Sequence, residues 1–134
     1  MIKISGPDLY KHDLLDHAKQ PRNYGLAPDA DFCSVQFNPS CGDSVTVCGF
    51  MEHGIVQRVS FEGAGCVLSL AMASRLTEHA VGMSVEQVLL LDDVTVELLL
   101  GLELGINRLQ CGLLSIRALQ QGLHDFNSNN VKSS

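Results

Sequence analysis

Hydrophobic and polar positions follow different spacings in successive parts of the chain, and each spacing predicts a kind of element. In residues 7–19, Tyr10, Leu14 and Ala18 recur at helical intervals, which predicts a first helix. This helix should end before Pro21, because the residue that precedes a proline avoids helical geometry.

Residues 32–62 change to short runs that favour β-strands. Apolar and polar residues alternate in residues 44–48 and again in residues 56–61, and His53-Gly54 between them is typical of a turn. We therefore expect an antiparallel meander of about three strands.

Helices are predicted in the second half of the chain. Residues 66–80 are small and apolar around most of a helical circumference, which suits a helix buried on more than one side. Ser84 and Gln87 have the spacing of a capping box, and Asp92 or Asp93 could cap a further helix.

The last helix is predicted to begin near Asn107, which with Gln110 repeats the capping pattern. We expect it to run to about Gln121 and to stop at Gly122. The polar residues 127–134 should form a mobile tail.

Together these elements predict an α+β fold. An N-terminal helix precedes a three-stranded antiparallel sheet, and several helices then pack on that sheet. With 134 residues and no internal repeat or low-complexity linker, residues 1–126 should form a single domain followed by the tail at residues 127–134.

The charge of the chain limits the classes of partner that it is expected to bind. The net charge is −6 and lysines and arginines form no cluster, so neither nucleic acid nor an anionic membrane is the expected partner. Residues 1–7 resemble neither a signal nor a transit peptide, and no apolar run has the length of a spanning helix. We therefore expect a cytoplasmic protein.

The five cysteines include no CxxC pair. In a reducing cytosol they are not expected to form a disulfide framework, and any metal ligands must converge from distant segments. Cys33 and Cys48 lie in or near predicted strands, which favours packing in the core or at the sheet edge for both. The histidines are scattered, and most are expected to be solvated or to cap helices.

The other three cysteines lie at predicted loops and helix starts. Cys41 belongs to residues 38–43 (NPSCGD), where Gly42 lets the backbone bend so that Cys41 and Asp43 could face one point. Taken alone, this segment is equally compatible with an ordinary turn that happens to contain a cysteine.

Cys66 and Cys111 each occupy a predicted first helical turn, where the positive helix end favours the thiolate. Arg108 adds positive charge near Cys111. Each cysteine alone could instead be a small apolar core residue. Three such cysteines with Asp43 favour a metal or persulfide site.

These segments resemble the U-type iron–sulfur cluster assembly scaffolds, the family of IscU, SufU and the NifU N-terminal domain. The similarity extends over residues 14–123. It is carried by residues 16–25 (DHAKQPRNYG), the CGD loop, residues 61–66 (FEGAGC), residues 71–74 (AMAS), Thr77-Glu78, and Arg108 three positions before Cys111.

The resemblance implies a SufE/NifU-like fold with a metal site at Cys41, Asp43, Cys66 and Cys111. These residues would hold zinc in the cluster-free form, or iron and a transient [2Fe–2S] cluster. A pyridoxal-phosphate cysteine desulfurase would deliver persulfide sulfur to Cys111 or Cys41, and the finished cluster would pass to apo-proteins.

Two features differ from IscU. Gln110 stands where IscU-type scaffolds have a histidine, and residues 104–108 lack the two prolines read by the dedicated Hsp70 chaperone, which makes that chaperone a doubtful partner. The SufU branch has an insertion between its second and third cysteines, whereas only the 44 residues 67–110 intervene here.

The sequence is compatible with three functions. The leading one is a scaffold or carrier, which is not an enzyme. The second is a SufU-like zinc-dependent sulfurtransferase, which the missing histidine favours and the short spacing opposes. The third is a zinc-stabilised interaction module without turnover, such as a regulator of the desulfurase.

Overall fold

The sheet precedes most of the helices along the chain, as predicted. The computed structural model describes residues 15–40 and 42–132. Strands and helices come after a helical segment at residues 15–19. They are β1 (Phe32–Asn38), β2 (Asp43–Glu52), β3 (Ile55–Ala64), α1 (Val67–His79), α2 (Val85–Leu89), α3 (Asp93–Leu100) and α4 (Ile106–Lys132). The α+β prediction is confirmed.

The three strands form an antiparallel sheet in the order β1-β2-β3. His53 and Gly54 connect β2 to β3 with φ of 55° and 75°, and positive φ at both central residues is the requirement of a tight hairpin turn whose twist matches the strands. The predicted meander and its turn are confirmed.

Helices α1 and α4 pack against this sheet. The core between them is apolar, and its largest fully buried side chains include Val45, Val47, Val59, Phe61, Met72, Leu76, Ile116 and Leu119. Because these side chains come from both halves of the chain, the core fixes the ends of β2, α1 and α4 relative to one another.

Residues 15–25 lie along β3 and α1. The helical segment ends at Lys19, before Pro21, as predicted; the earlier part of that predicted helix lies outside the described residues. The Gly25 N–H donates to the Phe61 carbonyl oxygen at 2.7 Å, and the Phe61 N–H donates to the Asn23 oxygen at 3.1 Å. These bonds cover the outer edge of β3, which would otherwise present unpaired backbone groups.

The predicted helix caps are confirmed in part. Ser84 and Gln87 form the reciprocal capping box of α2, and Asp92 caps α3. The predicted stop of the last helix at Gly122 is wrong, because α4 continues to Lys132 and includes residues 127–132 of the expected tail.

Gly122 has a packing role instead. A Cβ at Gly122 would collide with the Phe32 ring, and a Cβ at Gly49 would collide with the same ring from β2. The absence of side chains at both positions makes room for this aromatic ring between helix and sheet. A glycine required for close packing therefore looked, in the sequence, like a helix stop.

Cys33 and Cys48 form a disulfide bond. They lie directly opposite each other in the β1–β2 ladder, with Cα atoms 4.0 Å apart. The expectation of unbonded packing for both was wrong, because only the strand register reveals that residues separated by 15 positions are neighbours. Cys48 is buried as expected, whereas Cys33 is exposed.

Within residues 15–40 and 42–132, no helix combines the length and the apolar character that crossing a membrane requires.

Candidate metal centre

Three side chains with metal-binding atoms meet at one end of the sheet. Asp43 is the first residue of β2, Cys66 immediately precedes α1, and Cys111 lies in α4. One ligand atom of each lies within 4.8 Å of the other two. Residues that are 23 and 45 positions apart in the chain therefore share one site, as the sequence predicted for these three.

The close approach of Asp43 to the start of α1 depends on Gly65. This residue has φ of +155°, and a Cβ built on it would lie 2.5 Å from the Asp43 carboxyl carbon. Only glycine adopts this backbone conformation readily and leaves room for the carboxylate. The segment before Cys66 thus brings the thiol and the carboxylate together.

Cys66 occupies the N-cap position of α1 and is exposed. This placement confirms the prediction that Cys66 begins a helix. The thiol therefore stands beside the positive end of the helix and its unpaired N–H groups.

Cys111 lies deeper, with 8% of its surface exposed. The prediction that it occupies the first turn of the last helix is wrong. Helix α4 begins at Ile106, and the Leu109 N–H donates to the Gly105 oxygen at 2.9 Å, so Cys111 falls in the second turn. The field of a helix end weakens beyond the first turn. The groups that contact the Cys111 sulfur therefore determine its environment more than the helix end does.

Asn38 connects Cys111 to the loop between β1 and β2. Its side-chain nitrogen lies 4.0 Å from the Cys111 sulfur, within reach of a hydrogen bond to sulfur. Its side-chain oxygen accepts from the Ser40 N–H at 3.1 Å, and its backbone oxygen accepts from the Gly42 N–H at 2.8 Å. One residue therefore orders the loop and contacts a thiol of the site.

The fourth predicted ligand, Cys41, lies outside the described residues. Its chain neighbours Ser40 and Gly42 both belong to the loop that Asn38 orders. Cys41 therefore stays a prediction.

Gln110 does not cap the final helix, contrary to the prediction. It is half-buried in the second turn of α4, and its side-chain oxygen accepts from Arg117 Nη1 at 2.9 Å. The capping pattern failed because the helix begins one residue before Asn107, which moves both residues into its interior.

Ser69 is a residue of the site that the sequence analysis missed. Its hydroxyl donates to Asp43 Oδ2 at 2.7 Å and lies 3.5 Å from the Cys66 sulfur. The signal was present but weak: Ser69 is a polar residue one turn after Cys66, in a segment that is small and apolar around most of its helical circumference.

His17 is likewise an exception to the expectation that most histidines are solvated or capping. Only 4% of it is exposed, and its Nδ1 lies 2.7 Å from the Ser74 hydroxyl oxygen. Burial and the nearby Arg22 lower the pKa of His17, although Glu78 and Asp16 oppose this effect. The residue is structural, since it attaches residues 15–25 to α1.

The donor set of the site fits a borderline metal. Two sulfurs and one carboxylate oxygen suit zinc or iron. Ligands of a tetrahedral zinc lie ~3.3–3.8 Å from one another, so a 4.8 Å limit on the ligand separations requires only small side-chain movements. Asp43 is 4% exposed while Cys66 is exposed, and the site is therefore accessible from one side.

The family comparison agrees with the fold and the site. The family described as "NifU-like N terminal domain" matches residues 9–133. The chain therefore belongs to the NifU-like N-terminal domain family, which confirms the resemblance to the IscU, NifU and SufU group.

Two relatives illustrate two branches of the family. The chain is 30% identical to the zinc-dependent sulfurtransferase SufU of Bacillus subtilis, over 86% of this chain and 89% of the relative. It is 31% identical to the iron–sulfur cluster assembly scaffold protein IscU 1 of Archaeoglobus fulgidus, over 92% of this chain and 80% of the relative.

A solved structure shares the fold. The N-terminal part of a nitrogen-fixing NifU-like protein from Brucella abortus superposes with a TM-score of 0.72 over 89% of this chain and 94% of that chain. Its sequence is 18% identical, so this likeness concerns the fold alone.

Proposed function

We propose that this protein is an iron–sulfur cluster assembly scaffold. In this role it receives persulfide sulfur from a pyridoxal-phosphate cysteine desulfurase, binds iron, builds a transient [2Fe–2S] cluster and transfers it to apo-proteins. The observation that carries the proposal is the convergence of Asp43, Cys66 and Cys111 within 4.8 Å at an accessible end of the sheet.

Cys41 is proposed as the fourth ligand, and Cys111 and Cys41 as the candidate sulfur acceptors. In the transfer step, a thiolate of this protein attacks the outer sulfur of the desulfurase persulfide. The sulfur–sulfur bond breaks, and the desulfurase cysteine leaves as a thiolate. Each transferred sulfur needs two electrons to become sulfide, so assembly also needs a reductant.

The chemistry of the ligands suits temporary storage. Thiolates are soft ligands that suit iron–sulfur clusters, whereas the carboxylate of Asp43 is a hard ligand and binds a cluster iron less firmly. A scaffold must hold its cargo and then release it. In the cluster-free form, the same residues would hold zinc. The protein is not an enzyme in this role, and we propose the cytoplasm as its location because thiolate and iron–sulfide chemistry requires reducing conditions.

A zinc-dependent sulfurtransferase is the second candidate. Its support is the similarity to SufU of Bacillus subtilis together with Gln110 at the position where IscU-type scaffolds have histidine. In this role zinc would stay bound, and sulfur would pass through a cysteine of the site without assembly of a cluster. The third possibility, a zinc-stabilised module without turnover, has no observation in its favour beyond the site itself.

Anaerobic reconstitution distinguishes the first two functions. The protein, in both its metal-free and its zinc-loaded form, is incubated with ferrous iron, cysteine, a cysteine desulfurase and dithiothreitol, and the visible absorption and the bound iron, zinc and sulfide are measured. A scaffold yields equal amounts of protein-bound iron and sulfide with the absorption of a [2Fe–2S] cluster. Retention of zinc and faster desulfurase turnover, without a bound cluster, would instead establish the sulfurtransferase.

Asp43→Ala tests the proposed release step in the same assay. The variant cluster should be lost more slowly than that of the wild type, because the labile oxygen ligand and its charge are gone. Cys33→Ser/Cys48→Ala is the control, since both cysteines lie outside the site, and its cluster should decay at the wild-type rate. Equal or faster decay in Asp43→Ala would show that the carboxylate does not provide the release step.

A further inference from the structure

The hydroxyl of Ser69 lies within hydrogen-bonding distance of atoms from all three described residues of the site. It lies in the first turn of α1, three residues after Cys66, and only 1% of it is exposed. Its hydroxyl oxygen lies 2.7 Å from Asp43 Oδ2, 3.5 Å from Cys66 Sγ and 3.3 Å from the Cys111 backbone oxygen. Ser69 is therefore placed between the three elements that form the site.

The shortest of these contacts shows where the hydroxyl proton goes. A hydroxyl has one proton to donate, and the 2.7 Å separation from a carboxylate oxygen is in the range of a charge-assisted hydrogen bond. The lone pairs of the hydroxyl oxygen can still accept a hydrogen bond from the Cys66 thiol. The bond to Oδ2 restricts rotation of the Asp43 carboxylate, which is itself only 4% exposed.

We propose that Ser69 is a positioning residue for the metal centre and acts through Asp43. By holding one carboxylate oxygen, Ser69 determines the orientation in which Asp43 meets the metal, and so how firmly this ligand binds. The inference rests on the proposed function only in taking the site to bind metal. In this account, Ser69 controls the orientation of Asp43, the ligand that we propose to be responsible for release of the cluster.

Hydrogen bonds to metal ligands commonly have effects of this kind. A group that orients a ligand without touching the metal typically changes metal affinity by ~10–100-fold when it is removed. Ser69→Ala should therefore weaken zinc binding by ~10–100-fold. Ser69→Thr, which retains the hydroxyl, should restore most of the affinity.

The chain offers a matched control on the same helix. Ser74 is also buried in α1, at 0% exposure, and its hydroxyl contacts His17 rather than the site. Ser74→Ala removes a buried hydroxyl of equal size and should cost folding stability. It should leave zinc affinity unchanged, which separates a general effect on folding from an effect on the centre.

The test uses the full chain and zinc or cobalt(II) alone. Zinc affinity is measured by competition with a chromophoric chelator, and the visible spectrum of the cobalt(II) protein reports the geometry and sulfur ligation of the metal. The expected result is weaker zinc binding and an altered cobalt spectrum in Ser69→Ala, with wild-type behaviour in Ser69→Thr and Ser74→Ala. If Ser69 acts through Asp43, Ser69→Ala should have no further effect on affinity in an Asp43→Ala background.

Unchanged or tighter zinc binding by folded Ser69→Ala would overturn the proposal, as would an equally large effect in the Asp43→Ala background. If Ser69→Ala does not fold, Ser69→Thr is compared with Ser69→Val, because the two side chains have similar volumes and only threonine has a hydroxyl. Equal zinc affinity in these two variants would overturn the proposal. The assay contains no desulfurase or iron. A wild-type protein that binds zinc but assembles no cluster would therefore contradict the proposed function and leave the role of Ser69 intact.

Discussion

His17 makes the stability of the fold dependent on pH. Its ring is buried against Ser74, with Arg22, Glu78 and Asp16 as the charged groups that act on it, and its pKa is lowered from its ordinary value of 6.5. In the pH range between the lowered pKa and 6.5, the unfolded chain binds more protons at this residue than the folded chain does. Stability should therefore fall as the pH drops below 6.5.

We expect His17→Gln to lose less stability than the wild type between about pH 7.5 and about pH 5.5, because glutamine does not titrate. The measurement is the free energy of unfolding in urea at several pH values. His53→Gln is the control for the removal of a histidine, since the His53 side chain is 91% exposed. An unchanged slope in His17→Gln would contradict the role assigned to this histidine.

Single residues of the site were predictable where their chemistry is visible in the sequence. Asp43, Cys66 and Cys111 stand out because thiols and a carboxylate next to turns are unusual enough to suggest a shared function. Ser69 was not predicted, since a serine has many roles and only the fold places its hydroxyl 2.7 Å from Asp43. The burial of His17 likewise depends on contacts with a residue 57 positions away.

At the scale of elements, the Cys33–Cys48 disulfide joins β1 to β2 far from the metal centre. Asn38 lies five positions after Cys33 in β1, and Cys48 lies five positions after Asp43 in β2, a distance of roughly 17 Å along the sheet. Disulfides in reducing compartments are seldom permanent. Because of its distance from the metal centre, this bond should affect the stability of the sheet and not the binding of metal.

Reduction of this disulfide should lower the free energy of unfolding by ~2–4 kcal/mol, mainly by releasing a constraint on the unfolded chain. Zinc stoichiometry should stay the same. The check is urea unfolding and metal analysis with and without a reductant that does not bind zinc. The Cys33→Ser/Cys48→Ala variant should not respond to the reductant, and loss of zinc from this folded variant would contradict the ligand assignment.

The types and order of the described elements were predictable, but some of their ends were not. Alternation in β2 and β3 and the capping residues of α2 and α3 are local signals, and they were sufficient. The start of α4 lies within one residue of the predicted Asn107. Its end was misjudged, because Gly122 is needed for contact with Phe32. Such pairings depend on which elements meet, and a single sequence does not contain that information in readable form.

On the scale of the whole molecule, the metal centre depends on the packing of three elements. The start of β2, the start of α1 and the second turn of α4 each contribute one residue that we propose as a ligand. The sheet and the apolar core hold these positions before any metal binds. A centre assembled in this way needs little rearrangement to accept a metal, while the exposed Cys66 keeps it accessible to partners.

Zinc K-edge X-ray absorption on the wild type and on single-ligand variants tests this centre most directly. We predict three sulfur ligands at ~2.3 Å and one oxygen ligand at ~2.0–2.2 Å in the wild type. Cys66→Ser and Cys111→Ser should each lose one sulfur from the zinc shell or fail to retain zinc, while Cys33→Ser/Cys48→Ala keeps the wild-type shell. An unchanged sulfur count at zinc in Cys66→Ser or Cys111→Ser would contradict the shared centre.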